Sequence, residues 1–281
     1  MTETEAGIGI IGAGRAGQAI ARQLWRRGQP PGWIYSRTPE RARRLAAEVG
    51  GQAAPSVAAV LAQAPTSLLA VPESPLAELV AGVAADLGPE PVLRGRVVAH
   101  LAGRLGPEVL CPLARLGAGV GVLHPLAPIP DGDPSSLEGS YASIEASPAA
   151  EARLFELARH LGCRPFPLGS LDRALYHAAA VFAGVLPVQL EGLGERLAGA
   201  AGGGPVLQQA LRALYSASAR NVVRLGPRRG LSGPQVRGEV ETVTAHLEAL
   251  EQAAPELAEI YRLLERAARL APSDPDQEVN Q

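Results

Sequence analysis

The stretch Ile8-Gly9-Ile10-Ile11-Gly12-Ala13-Gly14-Arg15-Ala16-Gly17 decides the fold. Four residues of strand type run straight into three glycines spaced Gly-x-Gly-x-x-Gly, and helix periodicity follows through Ala16, Ile20 and Leu24. In such a turn the first glycine permits the sharp reversal. The second lets the backbone approach a pyrophosphate, and the third allows the helix to pack closely on the strand. A helix opening here directs free N–H groups and its positive dipole end at phosphates. Glycine is abundant in this chain, so the spacing alone is a weak signal and an ordinary tight turn is its rival. The position between a strand and a helix at the start of a βαβ pattern points to dinucleotide binding by Gly12, Ala13, Gly14, Arg15, Ala16 and Gly17.

A second strand is expected over Trp33 to Ser36, followed by a helix over 39–48. A site for NAD usually carries Asp or Glu at the end of that strand, to accept from the ribose 2′-hydroxyl. Here the chain reads Tyr35-Ser36-Arg37-Thr38, with no acid before Glu40. Arg37 can fork onto a 2′-phosphate, and Ser36 and Thr38 can donate to it. The expected cofactor is therefore NADP(H) rather than NAD(H). Arg41 can add charge from the next turn, whereas Arg43 and Arg44 read as a solvated helix face.

Further strands are expected over Ser67 to Val71, Arg96 to Leu101, Gly119 to Leu123, Tyr141 to Glu145 and Cys163 to Leu168, with a helix over 148–161. Strands alternating with helices imply a parallel sheet covered on both faces. From Gly169 the character changes to helix-length patterns alone: Leu171 to Leu197, Val206 to Val223, Pro234 to Leu250 and Pro255 to Leu270. Gly202-Gly203-Gly204-Pro205, Gly226-Pro227 and Ser232-Gly233-Pro234 punctuate them. Val236, Val240, Val243, Leu247 and Leu250 make one apolar stripe at helical spacing. The expected division is an α/β domain over 1–168, an all-helical domain over 169–271 and a polar, disordered tail over 272–281.

Composition narrows the chemistry. The chain has 281 residues, 47% hydrophobic, with 26 basic side chains against 28 acidic ones. A net charge of −2 lacks the electrostatic footprint of a nucleic-acid binder. All 26 basic residues are arginine, which excludes Schiff bases, a P-loop lysine and a lysine general acid. Cys111 and Cys163 form no metal-ligand spacing and read as two buried thiols. The acidic start Met-Thr-Glu-Thr-Glu is unlike a signal peptide, and no apolar run reads as a bilayer span, so a cytoplasmic protein is expected.

Several segments together resemble a known group. They are the glycine turn, Ala70-Val71-Pro72, Leu123-His124-Pro125-Leu126, Leu175 to Ala183 with Tyr176-His177, and Leu231-Ser232-Gly233-Pro234 with Val236-Arg237-Gly238-Glu239. The last runs on through Thr242 to Leu247. In these the chain resembles the Rossmann-like proteins with a DUF2520 C-terminal domain, distant relatives of pyrroline-5-carboxylate reductases and F420-dependent NADP oxidoreductases. The resemblance implies a Rossmann-type NADP-binding domain followed by an all-α domain, with Val71 and Pro72 beside the cofactor. It also implies a homodimer built through the C-terminal helices. Three departures stand out: Ala102 where the family often has serine, Ala127 in place of glutamine, and Val185 in place of asparagine.

Hydride delivery to a carbonyl or imine calls for an acid near the acceptor, and without lysine the histidines come first. His100 and His124 follow expected parallel strands, where such sheets bind ligands. His177 lies on a small-residue helix face with Ala180, Ala183 and Gly184. His177 and His124 are the expected catalytic residues, although His124 reads equally as a turn residue locked by Pro125. His160 and His246 read as surface or packing residues. Arg237 is a candidate for a substrate carboxylate or, alternatively, an i,i+4 partner of Glu241. Asn221, Ser232 and His100 complete the candidate substrate contacts; Asn221 reads equally as an interdomain hydrogen bond, and Ser232 reads first as a helix cap.

The leading expectation is an NADP(H)-dependent oxidoreductase acting on a small oxo or imino acid, with its site between the two halves. A ketopantoate-type reductase is the alternative enzyme, though it relies on a lysine that this chain lacks. A non-catalytic NADP(H) sensor or scaffold is the alternative of another class.

Overall fold

The structure is a computed structural model that describes residues 7–268. The tail expected over 272–281 lies outside the described residues. The chain divides into two compact units, Met1–Val185 and Leu186–Gln281.

The first unit is an eight-stranded sheet in the order β3-β2-β1-β4-β5-β6-β7-β8. Its strands are β1 Gly9–Ile11, β2 Trp33–Tyr35, β3 Gln52–Ala53, β4 Thr66–Leu69, β5 Val97–His100, β6 Gly119–Leu126, β7 Tyr141–Ala146 and β8 Arg164–Pro167. Every residue of β1, β4 and β5 is buried, as strands covered on both faces must be. Helices α1 Arg15–Arg26, α2 Pro39–Val49, α3 Val57–Gln63, α4 Leu76–Leu87, α5 Cys111–Arg115 and α6 Pro148–His160 connect and cover them. One apolar cluster joins Ile20 and Leu24 of α1, Leu45 of α2 and Leu154 of α6 to Ile10, Ile34 and Leu68. A second joins Val60 and Leu61 of α3, Val80 of α4 and Leu113 of α5 to Ile11, Leu69 and Val98.

Sheet order grows outward from β1 in both directions. The chain leaves β1 for β2 and β3 on one side, then returns to β4 on the other. The carboxyl ends of β1 and β4 thus flank the point where the winding reverses, which is where open α/β sheets bind ligands.

Two expectations are corrected. The sheet is not parallel throughout: β6 and β7 pair antiparallel, because residues 127–140 return without a crossover helix and carry only the single turn Pro134–Leu137. A strand also forms at Gln52–Ala53, where two exposed residues without a large apolar side chain extend the edge beside Trp33 and Ile34.

Helix α7, Arg173–Gly184, belongs to the first unit although a boundary near residue 168 was expected. Polar contacts from its first turns to β6 and β7 explain the assignment. The pattern over 171–197 therefore resolves into α7 and α8 Leu186–Ala200, parting at Val185 beside Pro187. Contrary to the sequence reading, Arg173–Ala200 reaches the length and, at a mean hydropathy of 1.2, the composition of a bilayer span. Leucine, valine and alanine raise that value, and the polar anchors of α7 hold its start against the sheet.

The second unit holds α8, α9 Pro205–Gly230, α10 Pro234–Arg237, α11 Val240–Ala253 and α12 Pro255–Ala268. Gly226-Pro227 breaks α9, with Gly226 at φ 76°. Gly238, at φ 71°, separates α10 from α11, where one helix was expected. The unit's core is small: Leu250, Ala254, Leu257 and Ala258, with Leu193, Leu197, Ile260 and Tyr261 packed against them.

Candidate active site

The glycine turn has three glycines with three different surroundings. Gly12 sits at φ 114° with its N–H donating to Tyr35 O at 2.8 Å, and a Cβ there would strike the Ala70 carbonyl. A Cβ on Gly17 would strike the Gly12 carbonyl. Packing thus explains the first and third glycines. Gly14, the exposed N-cap of α1, is different: a Cβ there would meet nothing within 4 Å. No described atom crowds that position, which leaves the backbone of the N-cap open to the approach of a ligand. Ala13 is buried beside it, and Gln18 ties the turn by donating to Ala13 O at 3.0 Å. Arg15 reaches across to donate to Pro130 O at 3.2 Å.

At the end of β2, Ser36 Oγ accepts from Thr38 N–H at 3.3 Å and shapes the turn into α2. Arg37 is exposed and makes no hydrogen bond or ion pair among the described residues. Its guanidinium fork is free for an anion. Arg43, by contrast, pairs with Glu40 at 3.3 Å, as a solvated helix face does. Val71 and Pro72 follow β4 next to the turn, and Val71 packs against the second apolar cluster.

Downstream, the same edge of the sheet gathers a polar cluster. His100, last residue of β5, is fully buried. Its Nε2 lies 3.0 Å from Gly106 O and its Nδ1 accepts from Ala102 N–H at 3.2 Å. Burial pushes its pKa down, so the ring is neutral, donating from Nε2 and accepting at Nδ1. Both nitrogens are spent on holding loop 101–106, which leaves neither for the substrate contact expected of His100. That loop is further tied by Arg104, whose Nε lies 3.0 Å from Glu73. Arg173 of α7 donates to Gly103 O at 3.2 Å while pairing with Glu145 of β7.

Gly103 is buried where two histidines converge. A Cβ on it would lie 2.5 Å from His177 Nδ1 and 2.8 Å from His124 Nε2. The two rings stand 5.8 Å apart, centroid to centroid, at 60°. His124 lies in β6 directly opposite Ser143 of β7, so their side chains share a face of the sheet. Tyr176 of α7 covers that pair: its hydroxyl is 2.8 Å from His124 Nδ1 and donates to Ser143 Oγ at 2.9 Å. Burial, helped by His177 and Arg173, pushes the His124 pKa down to about 4. Among the described residues, His177 Nδ1 is buried without a hydrogen-bond partner. Asp172 caps α7 by accepting from Leu175 N–H at 3.0 Å and so fixes the helix that delivers Arg173, Tyr176 and His177.

The structure thus brings His124 and His177 together. It adds Tyr176, Ser143, Arg173 and Glu145, which the sequence reading did not single out. Ala102 and Ala127 pack against the two apolar clusters, and Val185 is exposed. The other expected substrate residues belong to the second unit. Arg237 closes α10 and pairs with Glu239 instead of Glu241. Asn221 accepts from Arg224 at 3.3 Å. Ser232 is exposed and does not cap, since Gly233 at φ 141° holds the N-cap. Cys163 is buried as expected, but Cys111, at the start of α5, is exposed. Among the described residues no group of three metal-ligating side chains forms.

Comparison with known proteins agrees with this layout. A Rossmann-like domain is matched over residues 1–125, and the domain of unknown function DUF2520 over residues 140–268. The chain joins a Rossmann-like domain to a DUF2520 domain. Among solved structures it is similar to a Bacteroides fragilis protein provisionally designated an NADP oxidoreductase. That match has 25% identity and a TM-score of 0.75, covering 95% of this chain and 99% of the other. An imine reductase from a Pseudomonas species matches at 19% identity and a TM-score of 0.63, covering 94% and 92%. A reductive aminase from Aspergillus terreus, solved with NADPH, matches at 21% identity and a TM-score of 0.57, covering 95% and 93%. These last two show the fold alone. No curated protein matches the chain.

Proposed function

We propose that this Rossmann-like, DUF2520 domain protein is an NADP(H)-dependent oxidoreductase that moves a hydride to or from a small oxo or imino acid. One observation carries the reading. The sheet edge that presents the Gly14 cradle and the free Arg37 also presents His124 Nε2 and His177 Nδ1 converging on Gly103. The residues fit the cofactor: backbone N–H groups of Gly14 to Ala16 at the start of α1 for the pyrophosphate, and Arg37, Ser36 and Thr38 for the 2′-phosphate. When bound, the nicotinamide supplies the hydride.

The chain's own residues hold and polarise the acceptor. Arg173 fixes the Gly103 loop through its carbonyl, Asp172 fixes α7, and His177 Nδ1 is the candidate proton donor. The apolar replacements at Ala102 and Ala127 make the surroundings dry, which strengthens each remaining polar contact. NADPH oxidation against a panel of small oxo acids and imines tests the reading, with His177→Ala expected to lose turnover.

A second reading, a non-catalytic NADP(H) sensor, is favoured by the low pKa of His124 and the lack of lysine, which together leave few acids. Tight NADPH binding without turnover on any member of the panel would support it.

The same reading includes a homodimer. Large apolar side chains crowd the outside of the C-terminal helices, among them Val206 at 79%, Val223 at 89% and Val240 at 72% exposed. A second copy of the chain would cover them.

A further inference from the structure

The hydrogen-bond chain His124–Tyr176–Ser143 has a direction. Tyr176 Oη donates its one proton to Ser143 Oγ at 2.9 Å, and Ser143 is buried at 1% exposure. A phenol carries a single O–H. With that proton spent, the Tyr176 oxygen at 2.8 Å from His124 Nδ1 can only accept, so Nδ1 carries the imidazole proton. The other nitrogen, Nε2, then holds a bare lone pair. It lies beside Gly103, where a Cβ would come within 2.8 Å of it.

We infer that Tyr176 and Ser143 are positioning residues that set the tautomer of His124, making Nε2 a hydrogen-bond acceptor that selects a substrate nitrogen bearing N–H over a carbonyl oxygen. The inference rests on the reductase reading and narrows its substrate class. Hydride addition to the carbon of a protonated imine, C=N⁺–H, gives an amine; the N–H bond stays and no proton is required. The same addition to a ketone leaves an alkoxide that must take a proton, which a bare Nε2 cannot give and which His177 alone would have to supply. An acceptor at this point therefore suits an iminium or amine, and suits a carbonyl poorly. Burial works in the same direction, because it keeps the ring neutral around pH 7.

Ser143 is the switch point. If its oxygen is removed, the Tyr176 proton has no acceptor on that side and turns to His124 Nδ1. The imidazole proton then moves to Nε2, converting an acceptor into a donor without a change of charge. The cross-strand register of His124 and Ser143 makes this coupling local to one pair of strands.

The test is a long-range ¹H–¹⁵N correlation spectrum of the imidazoles of the ¹⁵N-labelled full chain at pH 7, without cofactor or substrate. His124 signals are assigned by their loss in His124→Gln. The wild type is expected to show a protonated Nδ1 and a bare Nε2. Ser143→Ala is expected to exchange the two signal types, and Ser143→Thr, which keeps the hydroxyl, to retain the wild-type pattern. A protonated Nε2 in the wild type, or an unchanged pattern in Ser143→Ala, overturns the inference. Should Ser143→Ala fail to fold, Tyr176→Phe replaces it: loss of the acceptor at Nδ1 is expected to spread the signals over both tautomers, and an unchanged pattern overturns the inference.

In turnover, a cyclic imine is expected to be preferred over the matching ketone by about tenfold, the effect of one hydrogen bond. Ser143→Ala is expected to narrow that ratio, and equal wild-type rates overturn the substrate assignment. Absence of any NADPH oxidation with the expected spectrum present defeats the reductase reading alone, so the two failures are distinguishable.

Discussion

Replacing Gly103 by alanine probes the convergence of the two histidines. Gly103 does not adopt a positive φ, so alanine fits its backbone. In that circumstance a Gly→Ala change ordinarily adds about 0.4–1 kcal/mol by restricting the unfolded chain. The new Cβ, however, lies 2.5 Å from His177 Nδ1, 2.7 Å from His124 Cε1 and 2.8 Å from His124 Nε2, each well inside van der Waals contact. Neither ring yields freely. His124 is tethered to Tyr176 at 2.8 Å, and His177 rides on a helix capped by Asp172 and anchored by Arg173. Overpacking of this kind costs about 1–3 kcal/mol, which outweighs the entropic gain and leaves a net loss of about 1–2 kcal/mol. Gly14→Ala is the matched control, because its Cβ meets no described atom within 4 Å. Urea titration followed by circular dichroism is expected to lower the midpoint for Gly103→Ala and to leave it unchanged or raised for Gly14→Ala. NADPH affinity is expected to fall in Gly14→Ala. A Gly103→Ala protein as stable as the wild type would refute the placement of both rings.

Three further outcomes follow from the same geometry. The depressed His124 pKa, about 4 against an ordinary 6.5, means that the unfolded chain binds the proton more readily, so stability is full above pH 6.5 and is lost as the pH falls toward 4. That shift corresponds to about 3 kcal/mol. His177, Arg173, Glu73 and His100 surround the ring, and His124→Gln is expected to flatten the pH dependence of urea midpoints; an equally steep curve would contradict it. Asp172→Ala removes the cap of α7 and is expected to cost about 1 kcal/mol by denaturant titration, with slower turnover. Light scattering of the full chain is expected to give the mass of two copies, and Val223→Arg the mass of one; a monomeric wild type at micromolar concentration would remove the dimer.

Much of the first unit was legible because its signals are local. A glycine turn between a buried strand and an apolar helix stripe announces itself within ten residues, and the strands at 66–69 and 97–100 are continuous apolar or small-residue runs. Gln52–Ala53 gave no such signal, since its only reason to be a strand is the neighbour it pairs with. The antiparallel return of β7 was also hidden, because a connection without a helix looks much like any loop. That miss concealed the site's polar chain. Ser143 faces His124 only through the antiparallel register, and Tyr176 arrives from 33 residues further on. Tyr176-His177 stood in the sequence as a pair, but nothing local says that the phenol, as well as the imidazole, points to the sheet. Pro187 and Gly238 stand at helix breaks, yet periodicity across them is strong enough to read one helix where two form.

The central claim is that the free Arg37 makes the glycine turn a site for NADP(H). Isothermal calorimetry of the full chain with NADPH and with NADH tests it most directly. A charge-assisted hydrogen bond of about 1.5–3 kcal/mol predicts NADPH binding tighter by about 10- to 150-fold, with the preference lost in Arg37→Ala. Equal affinities for the two cofactors, or an Arg37→Ala protein that keeps the preference, would contradict it.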